Sequence, residues 1–263
     1  MNFLLTIHPV LSFTLVSTVC VIVAILGLIM VRKRFHERYL KENHEVAGYI
    51  FNAFGLIYAV LIAFVVFATW SSHDTTKKNI EMEVNKLADL FTDASAFDNQ
   101  TKNTIRASLI EYTKTVIEDE WQLMASGGKR SQLGYDKYRA IWRAYLDIDV
   151  KKIKNVYIYD ESLRQLNAMS EYRRLRWFSS MSAIPGAIWL VLIVGGIISV
   201  SYTFFFGTKH LQAQCVMTSV YTIFNSMVLF LIYILDHPFT GYNAISNEPF
   251  RIVLRMFIQR LGQ

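Results

Sequence analysis

The chain has 263 residues, of which 53% are hydrophobic, 14% aromatic and 18% charged, with a net charge of +6 and a mean hydropathy of +0.28. A soluble domain of this length carries more charge and less apolar mass, so an ordinary water-soluble protein is excluded. The apolar excess lies in four blocks, residues 10–31, 48–70, 184–206 and 214–235, none of which contains Asp, Glu, Lys, Arg or His.

Each block approaches or exceeds the ~20 residues that cross a hydrocarbon core of ~30 Å as a helix. The first is an anchor rather than a cleaved leader. No Lys or Arg precedes it, and Val31-Arg32-Lys33-Arg34 stands where a small-residue cleavage site belongs. Cys20 lies in the first block and Cys215 in the fourth, so both read as packing residues and not as a disulfide. The second block, GYIFNAFGLIYAVLIAFVVFATW, opens with Phe51, Phe54 and Tyr58 on successive turns, with Asn52 and Gly55 among them.

Between Ser71 and Ser182 the composition changes to 18 Lys/Arg and 16 Asp/Glu. Apolar residues there recur at helical spacing. Ile80, Val84, Leu87, Phe91 and Ala94 predict a continuation of the second span. Ile105, Leu109, Tyr112, Val116 and Leu123 predict a second helix. SGGKRSQLG reads as a loop, and Tyr135, Tyr138, Trp142 and Tyr145 mark a third helix. A fourth is predicted from Asp160, a good N-cap, through Leu163, Leu166 and Met169 towards Arg176, after a brief strand-like Val156–Tyr159 run. An insert of about 110 residues has little apolar surface to bury alone, which points to oligomerisation.

The tail is irregular through DHPFTGYNAISNEPF and then becomes RIVLRMFIQRLGQ. There Arg251 and Arg255 face away from Leu254, Phe257 and Ile258, as in an interfacial helix or one packed on the insert. The predicted fold class is thus all-α and polytopic. Its parts are a two-helix membrane segment (1–71), a helical insert (72–182), a second two-helix segment (183–236) and a tail (237–263).

Charge placement divides on orientation. Five basic residues lie in the first connector, whereas Lys77, Lys78, Arg173, Arg174, Arg176, Arg251, Arg255 and Arg260 flank the insert and tail on the opposite side.

Signatures of catalysis are missing from the sequence. The six His residues form no H-x-x-x-H pair, and there is no C-x-x-C, Gly-rich phosphate loop or G-x-S-x-G elbow, so no enzyme, metal or cofactor is predicted. The basic residues are interspersed with acids, which argues against nucleic acid as a partner. The run Glu118-Asp119-Glu120 reads first as a solvated helix face and second as a cation site. No carboxylate lies within a span, and the nearest, Asp236, ends the fourth, which disfavours proton-coupled transport.

On a helix, Phe51, Gly55, Tyr58, Ile62, Val65 and Thr69 share one stripe, with Phe54 and Leu61 beside it. With Asn52, these are the candidate lining of a pore made by one such helix per subunit. Apolar and aromatic walls gate by dewetting and tolerate passing anions. Aromatic and small residues also pack ordinary helix interfaces, which is the competing reading. At the far end, Asp236, His237, Pro238 and Phe239 form either a structural turn, with Asp236 accepting backbone bonds or pairing Arg173 or Arg174, or a rim at the pore mouth.

Several stretches together resemble a bacterial and plant family described as bestrophin-like. They are Gly55 to Trp70, Glu83, Y-x-x-x-V-x-x-x-E-W (Tyr112 to Trp121), Pro185 with Trp189, and L-D-H-P-F-x-G (Leu235 to Gly241). Bestrophins proper are pentameric anion channels whose second membrane helix lines an apolar neck. The resemblance therefore implies a homo-pentamer in the cell membrane, a bacterial inner membrane with a cytoplasmic insert, and small inorganic anions as partners. It also implies Phe51, Phe54 and Tyr58 as neck residues, with Trp70 at the helix exit. The second span lacks the proline of the bestrophin neck, and no acidic calcium clasp adjoins the fourth helix. The alternative function is a non-conducting membrane scaffold or sensor whose insert binds a partner.

Overall fold

A computed structural model describes residues 5, 7–35, 44–153, 155–206, 208 and 210–261. Parts of the basic first connector, including Arg38 and Lys41, lie outside the described residues. Two compact units are formed, one from residues 1–72 with 183–237 and the other from 73–182 with 238–263. The described residues include four helices long and apolar enough to cross a membrane.

In the membrane unit, α1 (Pro9–Arg34) begins with Pro at its first turn, where the missing N–H costs no hydrogen bond. It ends on Arg32, Lys33 and Arg34, whose charges complement the C-terminal end of the helix dipole. The second helix, α2 (His44–Asp93), runs without a break for 50 residues, so only its part up to Ser72 belongs to this unit. The last two spans are α7 (Gly186–Phe205) and α8 (Leu211–Leu235).

The seams between these helices carry small and neutral polar side chains. The Ser17 and Ser226 hydroxyls meet at 3.0 Å, and those of Thr203 and Thr218 at 3.2 Å. At one end Arg32 donates from Nε to the Gln214 side-chain oxygen at 2.8 Å, and from Nη2 to the Thr208 carbonyl. Lipid competes for none of these partners and is as apolar as Leu, so small residues and hydrogen bonds do the joining.

In the insert unit, α2 continues to Asp93, followed by α3 (Asn99–Thr115), α4 (Trp121–Ala125), α5 (Gln132–Leu146), α6 (Val156–Met181) and α9 (Glu248–Leu261). Asp98 caps α3 by accepting from the Gln100 and Thr101 amides, and Ser131 caps α5 by accepting from Gly134. Gly127 and Gly128 take positive φ between α4 and α5, in keeping with a loop.

The core gathers Ile80, Leu87, Leu90, Ile105, Leu109, Tyr145 and Leu166, all fully buried. From α9, Phe250, Val253 and Phe257 join it, and Phe257 stacks on Phe91 at 4.2 Å. The tail helix is therefore packed in the insert's core. The interfacial reading is corrected: its apolar stripe is centred on Phe250, Val253 and Phe257, while Ile258 stays exposed. The added helix supplies within one chain part of the burial that a 110-residue insert lacks.

Two local expectations also change. Val156–Tyr159 is the first turn of α6 and not a strand, and the cap is Asn155, which accepts from the Tyr157 amide. Between α3 and α4, Val116–Glu120 forms a π-turn closed by the Trp121 amide on the Val116 carbonyl. The wider turn spaces the buried stripe as Val116, Glu120 and Met124, so Leu123 drops out of it.

Candidate functional site

The second span presents two unlike faces. Phe51 packs edge-on against Phe206 at 5.4 Å, and near Tyr202 and Tyr221. Phe54 stacks on Tyr58 and on Tyr202, at 6.0 and 6.2 Å. Tyr58 is buried, and its hydroxyl donates to the Leu192 carbonyl at 2.8 Å. Asn225, also within reach of that hydroxyl, donates to the Gly196 carbonyl and to Ser199. Gly195 makes room for the arrangement, since a Cβ there would stand 2.5 Å from the Tyr58 ring.

Val65 is buried with Leu192 and Ile232, and Ile62 packs against that cluster. Thr69 is buried and returns its hydroxyl to the Val65 carbonyl at 2.9 Å. Five of the eight residues assigned from the sequence, Phe51, Phe54, Tyr58, Ile62 and Val65, thus pack against other helices of the same chain, and Thr69 is bonded within α2. Asn52 is exposed, and a Cβ on Gly55 would meet nothing within 4 Å. Both border an open cleft of about 640 Å³ that α2 forms with Tyr221, Phe224 and Val228 of α8. Phe51, Leu56, Tyr58 and Ile62 line the same cleft, and the face turned away from it carries Val60, Phe64 and Phe67, all uncovered, with Phe64 71% exposed.

At the end of α8, Asp236 accepts from the Ile184 amide at 2.7 Å and from the Trp189 indole at 3.2 Å. It ties the chain entering α7 to the chain leaving α8, and its partners are these rather than Arg173 or Arg174. The His237 ring contacts the Tyr233 carbonyl at 2.9 Å. Beyond it, the Pro238 carbonyl accepts from Ile245, and Phe239 is buried against Trp121 at 5.6 Å within the insert unit.

The insert holds a buried charge network. Arg176 is 1% exposed and donates to Glu83 from Nε at 2.7 Å, and to Glu120 from Nη2 at 2.7 Å. Arg173 donates to the other Glu120 oxygen, and the Tyr112 hydroxyl donates to Glu83 at 2.5 Å. Burial by itself pushes the Glu120 carboxyl up, but the Arg176 and Arg173 charges outweigh it and hold the group below the usual glutamate range. Burial and the Glu83 charge push the Tyr112 hydroxyl well above the usual tyrosine value.

The run Glu118-Asp119-Glu120 is accordingly not a plain solvated face. Glu120 is ion-paired in the core, Asp119 accepts from the Ser131 hydroxyl, and no metal-binding group occurs among the described residues. Spacing along the chain pairs neither Arg173 nor Arg176 with Glu83 or Glu120. The signal was there, because Glu83, Glu120, Arg173 and Arg176 all occupy apolar-stripe positions, between or directly after residues such as Ile80 and Leu87, or Leu166 and Met169.

Four apolar spans with a helical insert between the second and third define a multi-pass, all-helical membrane protein. The chain belongs to the bestrophin-like family, whose domain model matches residues 18–250. It is similar to the crystal structure of a bacterial bestrophin homologue from Klebsiella pneumoniae, at 11% identity and a TM-score of 0.72, over 94% of this chain and 98% of that one. A single-substitution variant of that homologue gives 13% identity and a TM-score of 0.73, over 94% and 97% of the two chains. A variant of a protein described only as a membrane protein gives 11% identity and 0.73, over 94% and 97%. At these identities the likeness is one of fold. A search of curated proteins finds no match.

Proposed function

We propose that the protein is an oligomeric channel, pentameric by its likeness to bestrophins, that passes small anions along an axis bordered by α2. The observation that carries this reading is the uncovered surface of that helix, Leu56, Val60, Phe64 and Phe67, on a span that holds no formal charge between Tyr49 and Trp70. An uncharged apolar and aromatic wall suits dewetting and weak anion selectivity, where a cation filter uses acidic rings. Within this proposal the constriction is formed by Leu56, Val60 and Phe64, and Asn52 and Gly55 border the path beside the open cleft. Phe51, Phe54, Tyr58, Ile62 and Val65 then act from behind, holding the helix against α7 and α8. The insert is assigned to the cytoplasmic side of a bacterial inner membrane, in line with the larger group of basic residues around insert and tail.

Purified oligomers in planar bilayers test the reading. Chloride current is expected, and Val60→Ala or Phe64→Ala should raise unit conductance or change the chloride-to-iodide ratio. Phe51→Ala and Phe54→Ala should act chiefly on stability. Absence of current in well-folded oligomers would favour the scaffold alternative.

A further inference from the structure

Beside the charge network lies a pocket of about 190 Å³, wholly within the insert unit. Its floor is formed by the buried Glu120, Arg173 and Arg176, and its rim by Lys129, Arg130 and Arg174, all three exposed. Charges on the floor balance, since Arg173 and Arg176 are paired with Glu120 and Glu83. Those on the rim do not, because none of its three cations makes an ion pair among the described residues. The Asp119 carboxylate accepts from the hydroxyl of Ser131, which lines the pocket wall. Arg130 instead lies over the Tyr135 and Trp177 rings, at 4.7 and 5.7 Å.

A second observation points to a ligand. The Nε atom of Arg173 is buried and has no hydrogen-bond partner, although Nη2 of the same guanidinium holds Glu120. A buried N–H without an acceptor is rare and costly, and here it belongs to a side chain that lines the pocket. Helix α5 also starts at the wall, on Ser131, and its N-terminal dipole adds positive potential.

We infer that this pocket binds one phosphate group, as free phosphate or as the phosphate of an anionic lipid headgroup, held by Arg173, Arg174, Arg130 and Lys129. The volume of about 190 Å³ is enough for one tetrahedral oxyanion. Guanidinium forks match phosphate oxygens in pairs. A single halide would leave most of these donors unsatisfied. The site is independent of conduction and stands whether or not the oligomer passes current.

The test is calorimetric titration of full-length protein in phosphate-free detergent with inorganic phosphate, at ionic strength held constant with chloride. One saturable site per subunit is expected, with affinity reduced at least tenfold in the R130A/R174A variant. Both of those residues are exposed, so the variant should keep the wild-type elution profile and circular dichroism. Arg173→Lys, which keeps the charge and removes the Nε donor, should also weaken binding. A parallel arm uses short-chain phosphatidic acid, with phosphatidylcholine as control. Displacement of phosphate by phosphatidic acid assigns the site to a lipid headgroup, and failure to displace it assigns the site to the free anion. No saturable binding of either, equal binding by R130A/R174A, or equal competition by chloride would overturn the inference.

Discussion

The two units meet the problem of burying polar groups in opposite ways. Within the spans of the membrane unit the buried polar contacts are neutral, Tyr58 on a carbonyl, Ser17 on Ser226, Asn225 on Gly196 and Ser199, and the charged Arg32 and Asp236 stand at helix ends. In the insert, ions are buried as deeply as any neutral polar group, with Arg176 at 1% exposure and Glu83 at 0%. A charge inside a span would be stranded in hydrocarbon whenever its partner moved, and the unfolded-in-membrane state could not rehydrate it. The insert folds from water, so it can carry a buried pair provided every lobe is satisfied. The membrane helices are thus joined by many weak, exchangeable contacts, and the insert by one network whose members depend on each other.

That contrast can be broken most forcefully at Arg176. Arg176→Met strands Glu83 and Glu120 without their shared cation and should cost about 3–5 kcal/mol, read from denaturant unfolding of the insert signal. The same network can be weakened without mutation. The folded state holds Glu120 below its ordinary value of 4.5, so its contribution is complete above that pH and is lost as pH falls through the depressed value. Unfolding temperature should therefore drop on acidification below pH 4.5, and Glu120→Gln should flatten the drop.

In the membrane unit Gly195→Ala drives a Cβ into the Tyr58 ring and should cost about 1–3 kcal/mol as overpacking, measured by thermal unfolding in detergent. Tyr58→Phe removes the bond to Leu192 and the longer contact with Asn225 and should cost ~0.6 kcal/mol, the usual size of a hydrogen bond between membrane helices. If Tyr58→Phe proved as damaging as Arg176→Met, the division between exchangeable and interdependent contacts would fail.

Much of the architecture could be read directly from hydropathy. The four spans and the absence of charge within them follow from composition, because no other structure satisfies twenty apolar residues in lipid. The stripe Ile80, Leu87, Ile105, Leu109 followed from helical period alone. Helix ends were less legible. Asn155 and Asp160 are equally good caps by residue type, and the choice between them depends on what Tyr159 and Leu166 bury. The π-turn at Val116–Glu120 has no signature in residue type, so helical period extends the stripe to Leu123 where the wider turn selects Met124.

By itself the sequence determined an uncharged second span, with aromatics on defined turns, and an insert in which Glu83, Glu120, Arg173 and Arg176 fall at core positions. Only the tertiary structure decided which way the aromatics turn. Phe51, Phe54 and Tyr58 go to the partners on α7 and α8, because Gly195 and Gly196 leave a recess where a tyrosine ring fits and a carbonyl awaits its hydroxyl. It also decided that Glu83, Glu120, Arg173 and Arg176 meet. Helical period fixes the face on which a charge stands, whereas the helix that supplies its counter-charge comes from packing across 53 to 93 residues of sequence.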